Sequence, residues 1–304
     1  MNAKQTITNP YVPPKRPVLM AGCNGLPKLV MTAPDGASAE VYLHGAQVTS
    51  WIPAGGREWL FVSRGNAFRE DDAIRGGVPV IFPQVGSDGR LPRHGFARTL
   101  DWELVQVRQD ADGSVAAGFR LTDSRASWRL WRHRFLFELQ VTVGGSALDL
   151  RWRVTNTGKK RFRFTAGLHA YLRLTEGLAQ ARLLGLEGRC YRNRQDGSEC
   201  TDPECVLNAD DGCGRFYPDA AAPLLLRDGG RTLRITAAGL PDVGLWCPSQ
   251  GEAARLLDLE ADEWNEFIRI ETAAAEQPLW LQPGETWEGR QTLTADEPPL
   301  LSTK

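Results

Sequence analysis

The chain has no surplus of charge: 36 Lys and Arg stand against 37 Asp and Glu in 304 residues, a net charge of −1. That balance excludes the global field that draws a protein to nucleic acid or to an anionic membrane. Any bound anion has to be held by a local cluster. Long hydrophobic runs are also missing, and nothing approaches the ~20 apolar residues of a membrane helix. The N-terminus, MNAKQTITNPYVPPKRPVLMAGCNG, has proline where a secretory signal carries its apolar segment. No export signal is read, and a cytoplasmic location is the expectation. The six cysteines lack any Cys-x2-Cys pair; Cys190, Cys200, Cys205 and Cys213 are separated by nine, four and seven residues. This spacing argues against a structural zinc and for reduced, mostly inert thiols, so no metal is expected. A His-Glu-x-x-His pair, a nucleophile elbow and a P-loop are all absent, and GCNG or PAGG alone are too weak to count.

Amphipathic helices are scarce, with SRASWRLW and GNAFREDDAI as the two short candidates. What dominates is alternation of period two. In SALDLRWRVTNTG, Leu148, Leu150, Trp152 and Val154 face one way while Asp149, Arg151 and Arg153 face the other. EVYLHGAQVTSWIP, EWLFVS, LDWELVQVRQ, VAAGFRLTD and RFLFELQVTV read as further strands. Turn signals such as DADGS, VGGS, NTGKK and RDGG recur between them. Many strands with short reversals predict an all-β sandwich or barrel. No linker or internal repeat divides it, so residues 26–296 form one domain. The proline-rich start (Pro10, Pro13, Pro14, Pro17) through residue 25, and residues 297–304, are expected to be loose tails.

The same alternation places two titratable groups. In RFRFTAGLHAYLRL the even positions from Phe162 to Leu174 form an apolar face, so His169 points away from it among polar and aromatic neighbours. In NEFIRIETA, Ile268 and Ile270 share one face, and Phe267, Arg269 and Glu271 the other. A histidine and a carboxylate on strand faces could divide acid and base work. Plainer accounts also exist: His169 as an exposed strand histidine, and Glu271 paired with Arg269 or another arginine. The stretch AIRGGVPVIFPQVGSDGRLPRHGFART crowds Arg75, Arg90, Arg93 and Arg98 around a glycine-rich turn. It is either a solvated loop or a grip for a phosphomonoester, whose oxygens match the guanidinium fork. His94, in PRHGFAR, is a loop histidine or a hydrogen-bond donor to a ligand. His44 and His133 are read as structural.

IRGGVPVIFPQVG, then LPRHGFARTLDWEL, GLHAYLRL, FIRIETA and LQPGETWEGRQTL occur in that order. Between about Val41 and Leu293 the chain thereby resembles the hexose-6-phosphate mutarotases, or glucose-6-phosphate 1-epimerases, within the galactose mutarotase-like superfamily. The resemblance implies a β-supersandwich of antiparallel sheets with the sugar site on a concave face. It implies interconversion of the α and β anomers of an aldohexose 6-phosphate without metal or organic cofactor. By similarity His169 is the general acid and Glu271 the general base. Arg75 and Arg98 belong to the substrate pocket with Arg93 beside them. The expected partner is a small-molecule sugar phosphate, not nucleic acid or membrane, and the expected state is a monomer. Three departures stand out: Arg93 where relatives often carry Gln or a small residue, Gly214-Arg215-Phe216-Tyr217 in place of an Asp-x-Ile-Tyr segment, and Thr272 after Glu271 where proline is common. Asp210 or Asp211 is a candidate to replace the missing acidic residue, and Arg90 has no counterpart. Two alternatives share the fold, an aldose 1-epimerase for free sugars and a non-catalytic sugar-phosphate sensor. A glycosidase needs two carboxylates at a set separation, and one strand-embedded candidate is found.

Overall fold

The computed structural model describes residues 16–296 except 88, 202, 203, 206, 208–211, 221 and 222. The ends expected as tails, 1–15 and 297–304, lie outside the described residues, as do Asp210 and Asp211. Among the described residues the chain builds three sheets of four, seven and eight strands, and every paired strand is antiparallel to its neighbour. The all-β expectation holds.

The alternating segments become the strands they predict. Ala147–Asn156 pairs along its whole length with Phe135–Gly144 in the eight-stranded sheet. Leu148, Leu150, Trp152 and Val154 are fully buried, as are Phe137, Val141 and Val143 opposite them. The even positions of Phe162–Arg173, in the seven-stranded sheet, join the same core with Ile268 and Ile270. Each buried Val, Leu, Ile or Phe among them contributes about 1.5–3 kcal/mol by leaving water. The core therefore fills the space between the two larger sheets, and the other face of the seven-stranded sheet is left free for chemistry.

Some elements differ from expectation. SRASWRLW does form a helix, Arg125–Leu130, started by a Ser124–Ser127 capping box. GNAFREDDAI makes only turns and bends. EWLFVS is no regular strand: Leu60 and Val62 make isolated bridges to Leu172 and Gly76. The run Val78–Phe82 yields a strand of two residues, Val80–Ile81. Residues before 26 are not all loose, because Val18–Ala21 pairs with Pro27–Thr32 as the edge of the four-stranded sheet. No helix among the described residues is long and apolar enough to cross a membrane. His44 is structural as expected: it is buried, with Nε2 2.7 Å from the Asp72 carbonyl.

Candidate active site

Two neighbouring strands of the seven-stranded sheet, Phe162–Arg173 and Phe267–Leu281, set the geometry. Their register puts His169 directly opposite Glu271 and Tyr171 opposite Arg269. Side chains two apart share a face, so these four form one patch on the side away from the core. His169 Nε2 lies 3.3 Å from Glu271 Oε2. Both side chains are almost wholly buried, yet in a polar wall rather than in the apolar core.

The glycine-rich stretch wraps this patch. Its outgoing leg pairs with the edge of Phe162–Arg173, where Tyr171 N–H donates to the Gly77 carbonyl and His169 N–H to that of Pro79. Gly77, at φ 60°, passes so close to Val48 that a Cβ there would collide with the Val48 carbonyl. The glycines thus serve backbone approach, and they deliver Arg75 over the patch. Arg75 Nη1 donates to Tyr171 Oη at 3.1 Å, and its other nitrogens grip Asp258 at 3.0 Å each. On the returning leg the His94 ring meets His169 edge-on, with centroids 4.7 Å apart. His94 Nδ1 accepts the Gly86 N–H at 3.1 Å, so a neutral ring carries its proton on Nε2 and can donate from there. Arg98 donates to the Arg93 carbonyl at 3.1 Å.

These groups enclose a pocket of about 380 Å³, a size suited to a small ligand. Arg75, Arg93, His94, Arg98 and His169 all line it, together with Tyr171, Trp246 and Arg269. Glu271 is fully buried just behind that wall, in contact with His169 and 3.8 Å from Arg269. The structure thus gathers all six predicted site residues. Arg90 is exposed and lies outside this pocket. The ion-pair account of Glu271 is also correct, since Arg194 approaches it to 3.6 Å. Arg194 is hydrogen-bonded through its N–H to the carbonyl of Gly214, where the Asp-x-Ile-Tyr segment would place its acidic residue. Thr272 faces the opposite way and accepts from Gln291 between the sheets, so that departure leaves the site untouched.

Tyr171, Arg269, Arg194, Trp246 and Asp258 were not among the predicted site residues. Alternation could have found the first two, because they share faces with His169 and Glu271. Arg194 and Asp258 arrive from distant segments without a local pattern. Cys213 and Cys247 lie opposite each other, Sγ to Sγ 2.7 Å, on neighbouring strands of the same sheet. No group of three His, Cys, Asp or Glu among the described residues is placed to hold a metal ion.

Electrostatics divide the pair. Burial pushes His169 down to about 4, with Glu271 opposing and Arg269 reinforcing. For Glu271, burial acts to raise the pKa, but His169, Arg194 and Arg269 outweigh it and hold the carboxyl below its usual range. His94 is pushed down by burial, then by His169 and Arg98. At neutral pH the unliganded site therefore holds a carboxylate beside neutral imidazoles. Between pH 6.5, the ordinary histidine value, and about 4, the unfolded chain binds protons at His169 that the folded chain does not. Stability therefore rises with pH across that window and is lost as pH falls. His169 alone accounts for on the order of 3 kcal/mol, and urea midpoints between pH 7 and 4 will show it as a downward slope that flattens in His169→Asn. A slope unchanged in that variant would place the titration elsewhere.

A protein of Cenchrus ciliaris, provisionally named glucose-6-phosphate 1-epimerase, is 33% identical over 282 residues, covering 90% of this chain and 85% of the relative. One of Escherichia coli K12 with the same provisional name is 33% identical over 246 residues, covering 79% and 80%. The crystal structure of a provisionally assigned mutarotase from Salmonella typhimurium superposes with a TM-score of 0.82 at 27% identity, covering 90% of this chain and 91% of the other. The aldose 1-epimerase profile matches residues 27–294, a span that holds both strands of the His169–Glu271 pair and the arginine-bearing stretch, and the chain belongs to the aldose 1-epimerase family.

Proposed function

We propose that the protein interconverts the α and β anomers of an aldohexose 6-phosphate, glucose 6-phosphate being the first to test. One observation carries the reading: the His169–Glu271 pair shares its pocket with Arg75, Arg93 and Arg98. An anomeric carbon bears two oxygens, its hydroxyl and the ring oxygen, so an acid and a base for ring opening have to be close neighbours. A 3.3 Å contact between imidazole and carboxylate meets that need. Glu271 takes the proton of the C1 hydroxyl while His169 protonates the ring oxygen, and the hemiacetal opens to the aldehyde. Rotation about C1–C2 presents the other carbonyl face, and reclosure returns both protons. His169 is depressed by burial and by arginines, so the arrival of a phosphate dianion beside those arginines raises its proton affinity toward that of a working acid. The arginines position the sugar and do no bond-making themselves. Six free cysteines fit a reducing, intracellular setting.

The test follows freshly dissolved α-glucose 6-phosphate and α-glucose toward anomeric equilibrium by NMR. The phosphorylated sugar should be accelerated strongly and the free sugar little. Arg75→Ala and Arg98→Ala should each raise KM for the phosphate at least tenfold, with little change for glucose. Equal acceleration of both sugars would favour an aldose 1-epimerase for free sugars. Binding without acceleration would favour a sensor.

A further inference from the structure

The arginines outnumber what one phosphate requires. Around Tyr171 stand Arg75, Arg93 and Arg98, and among the described residues only Arg75 is ion-paired, with Asp258. The surplus there is two positive charges, which a phosphate monoester at neutral pH nearly offsets. Glu252 and Arg255, also in the wall, carry opposite formal charges and add nothing to the sum. Around Glu271 stand two more guanidiniums, Arg194 and Arg269, against that one carboxylate. Neither is needed to neutralise the phosphate.

Arg269 is the telling member. Its side chain is 7% exposed and lies over the Trp246 ring with its carbon 5.1 Å from the centroid. Its Nε is buried and without a hydrogen-bond partner among the described residues. Its approach to Glu271 is 3.8 Å, beyond hydrogen-bond reach. An Nε–H left in this state is costly, because it has lost water and gained no partner in return. Both Glu271 oxygens are likewise buried without a hydrogen-bond partner among the described residues, so the carboxylate does not satisfy that donor. A second anion placed between Arg194 and Arg269 would take up these donors with the planar, two-point match that guanidinium offers a carboxylate. It would also draw the two cations away from Glu271 and so raise the basicity of the group that has to accept a proton.

Building on the anomerase reading above, we propose that Arg194 and Arg269 form a second anion subsite beside the reacting pair. The subsite assigns the preferred substrate to the sugar phosphates that carry a carboxylate on the anomeric carbon, the cyclic hemiketals of 2-oxo sugar acids. Ring opening is unchanged in its balance: Glu271 receives the hydroxyl proton, His169 gives one to the ring oxygen, and a ketone replaces the aldehyde.

The test compares glucose 6-phosphate with 3-deoxy-manno-octulosonate 8-phosphate, a pyranose bearing both groups, by NMR exchange rates and by calorimetric binding. The octulosonate phosphate should bind at least tenfold tighter, and its anomers should exchange faster. Arg194→Gln, at a partly exposed site, and Arg269→Gln should each bring that preference close to unity while glucose 6-phosphate loses less. If glucose 6-phosphate is turned over but the second sugar is not preferred, the subsite is wrong and the anomerase reading stands. If neither is turned over yet the preference depends on Arg194 and Arg269, the subsite stands and the anomerase reading falls. If the protein neither binds nor turns over either sugar, both fall.

Discussion

Glu271→Gln should lower the rate of anomer exchange by about 10²–10⁴-fold, the usual loss for one well-placed base, while the phosphate end of the pocket keeps its affinity. The substitution preserves shape, so the register between Phe162–Arg173 and Phe267–Leu281 has no reason to change. What disappears is the one negative charge that, among the described residues, faces His169, Arg194 and Arg269 together. That loss gives a second readout. Glu271 raises the pKa of His169 against burial, so the imidazole in the variant should titrate below about 4 when followed by NMR. A variant with normal exchange would move the base elsewhere in the pocket. A lost rate without the histidine shift would mean that the two side chains are uncoupled in solution.

Much of this site is legible from alternation because a flat pair of strands preserves it. The period-two pattern assigns His169 and Glu271 to faces, and antiparallel pairing then forces those faces together. The same rule carries Tyr171 and Arg269, which are visible in FIRIETA and GLHAYLRL once the register is known. Alternation cannot supply the register itself. It depends on Leu172 meeting Ile268 and Phe162 meeting Leu281, and the mismatch between Phe164 and Ala166 is absorbed by extra residues in Phe267–Leu281. Long-range delivery is equally invisible. Arg194 comes from a turn between edge strands, and Asp258 from a loop after the short helix Gln250–Ala253. Their only link to the pocket is three-dimensional. EWLFVS failed as a strand for a related reason: Gly76 and Tyr171 occupy the pairing positions on either side, leaving it single bridges instead of a ladder.

The reading of glycines changes as well. The sequence concentrates them around Arg75, where they suggest a ligand-cradling turn, yet Gly77 is held by Val48. The glycine that shapes the chemistry is Gly244, unremarked in PDVGLWC, which sits opposite Glu271 on the neighbouring strand Asp242–Cys247.

Gly244→Ala should therefore cost about 10²-fold in kcat, the scale on which a displacement of roughly 1 Å impairs a reacting geometry. A Cβ at Gly244 would stand 2.7 Å from Glu271 Oε2, 3.1 Å from its Cβ and 3.2 Å from its Cδ. Gly244 has none of the left-handed backbone that demands glycine, so alanine is tolerated by the strand and the side-chain clash is the whole perturbation. The Glu271 carboxylate has nowhere neutral to go, with His169 on one side and two guanidiniums around it. Stability is set by two opposing effects. Overpacking costs about 1–3 kcal/mol, and replacing glycine in a strand returns about 0.5–1 kcal/mol. The melting temperature should accordingly fall by only a few degrees while turnover collapses, and KM for the phosphorylated sugar should stay near its original value. Wild-type turnover in this variant would show that the carboxylate does not work from the position it occupies against Gly244.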